Sequence, residues 1–213
     1  MTLKRKLLLG VAVGVLPVLL MSGCNMGQYE GPSYTLAGVE TDGIEIRSYA
    51  PKIVAQVEVS GERETAISEG FRLIADYIFG NNAPNAKIAM TAPVLQQAAE
   101  GQKIAMTAPV LQQRTGNAWI VQFVMPSEYT LETLPKPNNP AVKLLKTLPQ
   151  KMVVIRFSGT TRAANLAEHQ QRLTDYIAKQ KLKTVGAPVF AFYDPPWTLP
   201  FFRRNEIMLE LAQ

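Results

Sequence analysis

The chain has 213 residues, 22 basic and 17 acidic side chains, a formal charge of +5 and 47% apolar residues, enough for one domain with a substantial core. A single histidine and a single cysteine exclude a multi-histidine metal centre, a Cys-x-x-Cys redox pair and any disulfide within the chain. No Gly-x-Gly-x-x-Gly or Walker loop, no His-Glu-x-x-His and no Gly-x-Ser-x-Gly elbow is present, so the common nucleotide, zinc-protease and serine-hydrolase chemistries lack their residues.

The first segment reads as an address. Lys4-Arg5-Lys6 is a basic start, and Leu7 to Met21 is an apolar run broken by Gly10, Gly14 and Pro17. Its fifteen residues are short for a spanning helix, which needs about 20, and suit a signal sequence. Leu20-Met-Ser-Gly-Cys24 resembles a bacterial lipobox, with Met21 where Leu is commoner. That resemblance makes residues 1–23 a lipoprotein signal peptide and Cys24 the lipidated first mature residue; an ordinary signal peptide with a chance cysteine is the competing reading. Asn25 in place of Asp implies sorting to the outer membrane, facing the periplasm, by similarity to Gram-negative lipoproteins. Loss of Lys4, Arg5 and Lys6 takes the charge from +5 to +2, which removes the main support for a nucleic-acid partner. Residues 24–33 are Gly-rich and polar, a tether, and 34–213 form the domain.

Within that domain, Ile44–Arg47 and Lys52–Val59 predict strands, the second by alternation of Ile53, Ala55, Val57 and Val59 with more polar neighbours. Ser60-Gly61 breaks the strand, and Ser60 is placed to cap a helix over about residues 62–79. Its apolar stripe is Ile67, Phe71, Ile74 and Ile78. Lys87-Ile-Ala-Met-Thr-Ala-Pro-Val-Leu-Gln-Gln97 then recurs letter for letter at Lys103–Gln113, a period of 16 residues. Two such units are too few for a solenoid. Pro93 and Pro109 predict edge or bent strands, paired as a hairpin about Glu100-Gly101, or one strand and one loop.

Trp119–Met125 predicts a strand and Pro135–Pro140 a turn-rich loop. Lys151–Phe157 predicts a strand, and about 162–180 a helix with Leu166, Leu173 and Ile177 on one face and Tyr176 at its edge. Gly186–Tyr193 and Glu206–Leu211 predict the last two strands. Val57-Glu-Val-Ser-Gly61 and Ile155-Arg-Phe-Ser-Gly159 stand 98 residues apart, each a strand, a break and a helix, and each helix is followed by Ala-Pro-Val. The chain is thus expected to be α+β, two similar halves sharing one curved antiparallel sheet or barrel with a helix from each.

Lys-Ile-Ala-Met-Thr-Ala-Pro-Val, Phe123-Val-Met-Pro126, Tyr129-Thr-Leu-Glu-Thr-Leu-Pro-Lys-Pro137, Arg156-Phe-Ser-Gly159, Tyr193-Asp-Pro-Pro-Trp197 and Arg203-Arg-Asn-Glu206 occur in this order, and together they resemble the SOUL family of haem-binding proteins. The resemblance covers about residue 33 onward. It implies a distorted β-barrel with two flanking helices, a pseudo-twofold pair of βαββ-like halves, and haem or a related porphyrin held without a covalent bond in a shallow apolar groove. The doubled motif departs from a single-copy pattern and leaves open which copy lies beside the groove.

By that resemblance the first helix forms one wall, which assigns Ile67, Phe71, Ile74 and Ile78 to the ligand; core packing is the alternative for each. Met90, Met106 and Met125 are soft ligands, pocket lining or gap-filling core residues, and Tyr77 and Tyr193 are weaker candidates for the iron. His169 borders the apolar face of the second helix and is the one imidazole able to reach an iron, against the alternative of a packed boundary histidine. Arg63, Arg72, Arg203 and Arg204 are cations for the propionates, with a salt bridge to Glu206 the competing role for the last pair. The reading is a lipid-anchored cell-envelope protein that binds haem for transport, buffering or sensing, with no catalytic step. Two rivals remain: an enzyme on a small apolar molecule, with Glu69 or Asp76 as base, and an interaction lipoprotein using the repeated hairpin.

Overall fold

The computed structural model describes residues 30–38, 42–83 and 101–212. The stretch expected to be a signal sequence, Cys24 and the first repeat copy with Met90 lie outside them.

The elements in chain order are β1 (Tyr34–Leu36), β2 (Ile44–Tyr49), β3 (Ile53–Ser60), α1 (Arg63–Ile78), β4 (Asn82–Ala83), β5 (Val110–Thr115), β6 (Ala118–Val124), β7 (Lys136–Pro137), β8 (Lys143–Lys146), β9 (Gln150–Phe157), α2 (Ala163–Lys179), β10 (Thr184–Phe192) and β11 (Asn205–Leu211). Nine strands form one antiparallel sheet in the order β1-β2-β9-β11-β10-β5-β6-β3-β8, and β4 pairs with β7 apart from it. The architecture is α+β, a curled β-barrel-like sheet with two helices, as the sequence leads one to expect.

The pseudo-twofold is visible in the strand order. β3, β6 and β5 form one half, β9, β11 and β10 the other, and the halves meet where β5 pairs with β10, Val110 opposite Phe192 and Gln113 opposite Val189. α1 lies over β3 and β6, and α2 over β9 and β11. Alternation decides which side chains meet the helices. Ala55, Val57, Val59, Val121 and Phe123 pack with Ile74, Tyr77 and Ile78 of α1. Val153, Ile155, Ile207 and Leu209 pack with Leu166 and Leu173 of α2. The intervening residues Val54, Leu111, Val124, Met152, Val154, Ala191 and Met208 form a third cluster, on the other face.

Gly70 shows how closely α1 approaches. A Cβ there would lie 2.6 Å from Val121 Cγ2 and 2.9 Å from Val121 Cβ, so only glycine lets this turn of the helix sit on β6. The sheet edges are short or charged. β1 has three exposed residues, and Lys143 and Lys146 bound β8, both arrangements that discourage further pairing.

Several expectations change. The second repeat copy does not supply an edge strand, and its expected hairpin with the first copy falls outside the described residues. Its Val110–Gln113 is central, with β10 on one side and β6 on the other, and Pro109 falls just before the ladder, where its missing donor costs nothing. Pro188 does lie within a central strand; the β10–β11 register shifts between Val185 and Val189, and the Gln113 side-chain amide donates to Ala187 O at 2.8 Å. Ser60 ends β3 rather than capping α1: the cap position is Glu62, with no side-chain bond. Within the stretch expected to be a tether, Glu30 accepts Ala108 N with its carbonyl and Ser127 N with its carboxylate. β1 and β8 go beyond the strands read from the sequence, and the Pro135–Pro140 loop contains β7.

Candidate functional site

Neither helix covers the central pair β5–β10 on its own face. Three aromatic side chains and one cation gather over that strip. The Arg63 guanidinium carbon lies 5.9 Å from the Trp119 ring centre, 5.8 Å from Phe190 and 5.8 Å from Phe192, within the outer limit of cation–π attraction. One terminal nitrogen donates to Gln112 Oε1 at 3.0 Å and the other lies 3.5 Å from Thr161 O, so Arg63 bridges the two halves. Its Nε is buried with no hydrogen-bond partner among the described residues. Burial pulls the Arg63 pKa below its ordinary value, against the opposing pull of Glu64. A guanidinium in this state gains from an added anion.

Arg63, Ile67 and Phe71 stand at i, i+4 and i+8 of α1 and therefore share a stripe. Ile67 is half-buried, and Phe71 keeps 40% of its surface exposed while its ring leans on Phe123 at 5.2 Å. Ile74 and Ile78 continue the stripe into the core, at 0% and 1% exposure, and have no surface to give a ligand. The four-residue assignment thus divides in half, because the helix end tucks under Leu134 and Ile104 of the same cluster.

At the far end of β10 the chain makes a long loop, 193–204, with Trp197 81%, Leu199 55%, Phe201 65% and Phe202 71% exposed. The loop is tied down despite its exposure. Arg203 donates through Nε to Thr198 O at 2.7 Å and through Nη2 to Pro196 O, Gly159 N donates to Pro200 O, and Arg204 N donates to Asp194 Oδ2 at 2.6 Å. Arg203 is therefore a clamp within the loop.

Arg204 is bound elsewhere. It pairs with Glu206 at 2.7 Å and lies over the Tyr193 ring at 4.1 Å. Glu206 also receives both terminal nitrogens of Arg47, at 2.9 and 3.1 Å, and the Tyr193 hydroxyl at 2.6 Å. Burial alone would raise the Glu206 carboxyl, but Arg47 and Arg204 overcome it and hold its pKa below the usual range. This network gives Arg204 and Tyr193 partners within the fold, the salt bridge to Glu206 among them. Arg72 lies on the exposed side of α1 beside Glu64, Ser68 and Glu69, away from the aromatic strip.

His169 stacks on Phe157, centres 4.1 Å apart and planes 14° from parallel, with Nδ1 2.8 Å from Asn165 O. A donating Nδ1–H would leave the lone pair on Nε2, the form a metal ligand needs, but the ring is already packed. Met106 is half-buried against the α1 core and Met125 is buried in it, while Tyr77 is a core residue with its hydroxyl on Pro135 O at 2.8 Å. Asp76 is exposed and bonded to Asn81, and Glu69 is exposed, so neither proposed base meets the aromatic strip.

Trp119, Phe190, Phe192 and the 197–202 loop are missed by sequence reasoning. Trp119, Phe190 and Phe192 occupy helix-facing positions of predicted strands, where alternation does not separate core from surface. The loop had a signal: Trp197-Thr-Leu-Pro-Phe-Phe202 is an apolar run without strand alternation, directly after Pro195-Pro196.

The SOUL heme-binding protein family model matches residues 29–102 and 95–210, each stretch containing one repeat copy. Heme-binding protein 1 of Xenopus laevis is 25% identical over 171 residues, 79% of this chain and 84% of that protein. Heme-binding protein 2 of Homo sapiens is 28% identical over 176 residues, 81% and 80%. Among solved structures, the EcmrR C-terminal domain (TM-score 0.54, 10% identity, covering 80% of this chain and 97% of that one) and a hydrolase from Listeria innocua (0.53, 13%, 82% and 94%) share the fold alone. The order of the sequence motifs, the pseudo-twofold sheet and the match over nearly the whole domain place this chain in the SOUL heme-binding protein family.

Proposed function

We propose that this protein binds haem or a related porphyrin, without a covalent bond, on the helix face of the β5–β10 seam. The observation that carries the reading is Arg63: a half-buried cation with an unpartnered Nε, among three aromatic rings and at the head of the Ile67–Phe71 stripe. The residues fit the group. A propionate suits the guanidinium, and the apolar macrocycle suits Ile67, Phe71 and the exposed loop at Trp197–Phe202, each Å² of apolar surface removed from water contributing about 25 cal/mol. Bound haem would supply a redox-active iron; the chain itself supplies burial and charge pairing. His169 stays packed on Phe157 in this account, so iron ligation is at most weak. Membership of a family named for haem binding supports the ligand class.

The wider setting belongs to the same proposal. Residues 1–23 direct export, Cys24 carries lipid, and the domain works at the cell envelope, on the periplasmic side of an outer membrane, in haem transport, buffering or sensing. No catalytic step and no nucleic acid are involved. Metabolic labelling with a palmitate analogue, lost in Cys24→Ala, checks the anchor. Hemin titration followed by the Soret band checks the ligand: saturable binding at micromolar hemin, weakened about tenfold in Arg63→Ala and retained in His169→Ala, is expected. Absence of saturation sinks the haem reading.

A further inference from the structure

The face of the sheet opposite the helices carries a cavity of about 190 Å³. Its walls include Leu111, Met152, Val189 and Met208, and Tyr49, Lys52 and Glu210 stand at its polar end. A cavity of roughly 150 Å³ holds benzene, so this one takes a single ring with a substituent and cannot take a tetrapyrrole. It is separate from the Arg63 strip, because Leu111 and Val189 point to one side of the sheet and Gln112 and Phe190 to the other.

The polar end is unequally satisfied. Glu210 accepts from Gln150 Nε2 at 3.1 Å. Lys52 lies over the Tyr49 ring, Nζ 5.0 Å from its centre, and makes no ion pair with a described carboxylate. Burial pulls the Lys52 pKa below its ordinary value, and Glu210 offsets only part of that. The cation is thus partly desolvated at one end of a slot that mixes apolar walls with Gln113, Gln122 and Gln150, and it lacks a contacting anion.

We infer that this cavity is a binding site for a small carboxylate with a single-ring or short-chain apolar body, its anion on Lys52 and its body between Leu111, Met152, Val189 and Met208. The site is independent of haem.

The test is calorimetric titration of benzoate into the full chain in detergent micelles, with benzylamine as the cationic counterpart. Saturable one-to-one binding of benzoate is expected, unchanged by saturating hemin, weakened about tenfold in Lys52→Met, and tighter than any binding of benzylamine. Ala187→Trp, which fills the rim from a different residue, abolishes it. No saturable benzoate binding, unchanged affinity in both variants, displacement by hemin, or a preference for benzylamine each overturns the assignment.

Discussion

In the first half of the sheet, β5 and β6 are joined by a tight turn at Gly116, and α1 turns Arg63, Ile67 and Phe71 toward a partly open surface. In the second half, β10 and β11 are joined by the 193–204 loop with four exposed apolar side chains, and α2 turns Leu166, Leu173 and Ile177 into its own core. The inner faces differ too. A Gln122–Gln56 hydrogen bond of 2.7 Å serves the first half, whereas the second buries Glu206 between Arg47 and Arg204. Two copies of one topology therefore supply the scaffold, and the departures from symmetry supply the side chains of the proposed site: a cation and a helix wall from one half, an apolar loop from the other.

The largest break in that comparison comes from the second half. Glu206→Ala takes the carboxylate from Arg204 and leaves buried Arg47 with Glu45 alone, and should cost about 3–5 kcal/mol in urea unfolding, because a buried charge that loses a partner is left under-compensated. Gln122→Ala, its first-half counterpart in role, should cost about 1 kcal/mol. Ile74→Ala and Leu173→Ala, each at the centre of one helix's core and 0% exposed, should cost about 2–5 kcal/mol apiece and so show the halves to be alike in packing. Gly70→Ala should lose about 1–3 kcal/mol, since the methyl meets Val121 and the propensity gain of about 1 kcal/mol only partly offsets it.

A smaller effect appears with alkali. Burial is the main cause that pushes the Tyr49 hydroxyl up from 10.0 to about 12. A raised pKa means the folded state holds the proton more tightly, so this stabilisation is complete below pH 10 and is lost as pH rises towards 12. Tyr49→Phe should flatten the stability curve over that window, and an unchanged slope would remove Tyr49 from the account.

Most of the scaffold was legible in the sequence. The alternation in Ile53–Val59, the stripe of α1 and the repeated strand, Ser-Gly break and helix fixed both helices, six strands and the pseudo-twofold to within a few residues. Short strands without their own periodicity were hidden, since β1 and β8 form only because a longer neighbour offers an open edge. The prolines of the repeat suggested an edge or bent strand, but Val110–Gln113 begins just after Pro109 and is flanked by strands on either side.

The candidate site was less legible, for a reason visible in particular residues. Arg63, Arg203 and Arg204 look alike as letters. Only the fold shows that Arg204 is held by Glu206 and Arg203 by loop carbonyls, leaving Arg63 with a buried unpartnered nitrogen. Likewise Ile67 and Ile74 share one stripe, and the depth of the helix end decides which of them meets solvent.

The most direct measurement uses the chain's two tryptophans, Trp119 and Trp197, which lie on either side of the comparison. Hemin quenches tryptophan emission by energy transfer whose efficiency falls steeply with distance, so each residue can be followed alone in Trp197→Phe and in Trp119→Phe, and the depth of quenching ranks their distances from the ligand. The account predicts saturable quenching of both reporters at the same hemin concentration, shifted to about tenfold higher hemin by Arg63→Ala. Hemin that saturates the Soret band and leaves Trp119 bright would contradict it, placing the ligand away from the Arg63 seam.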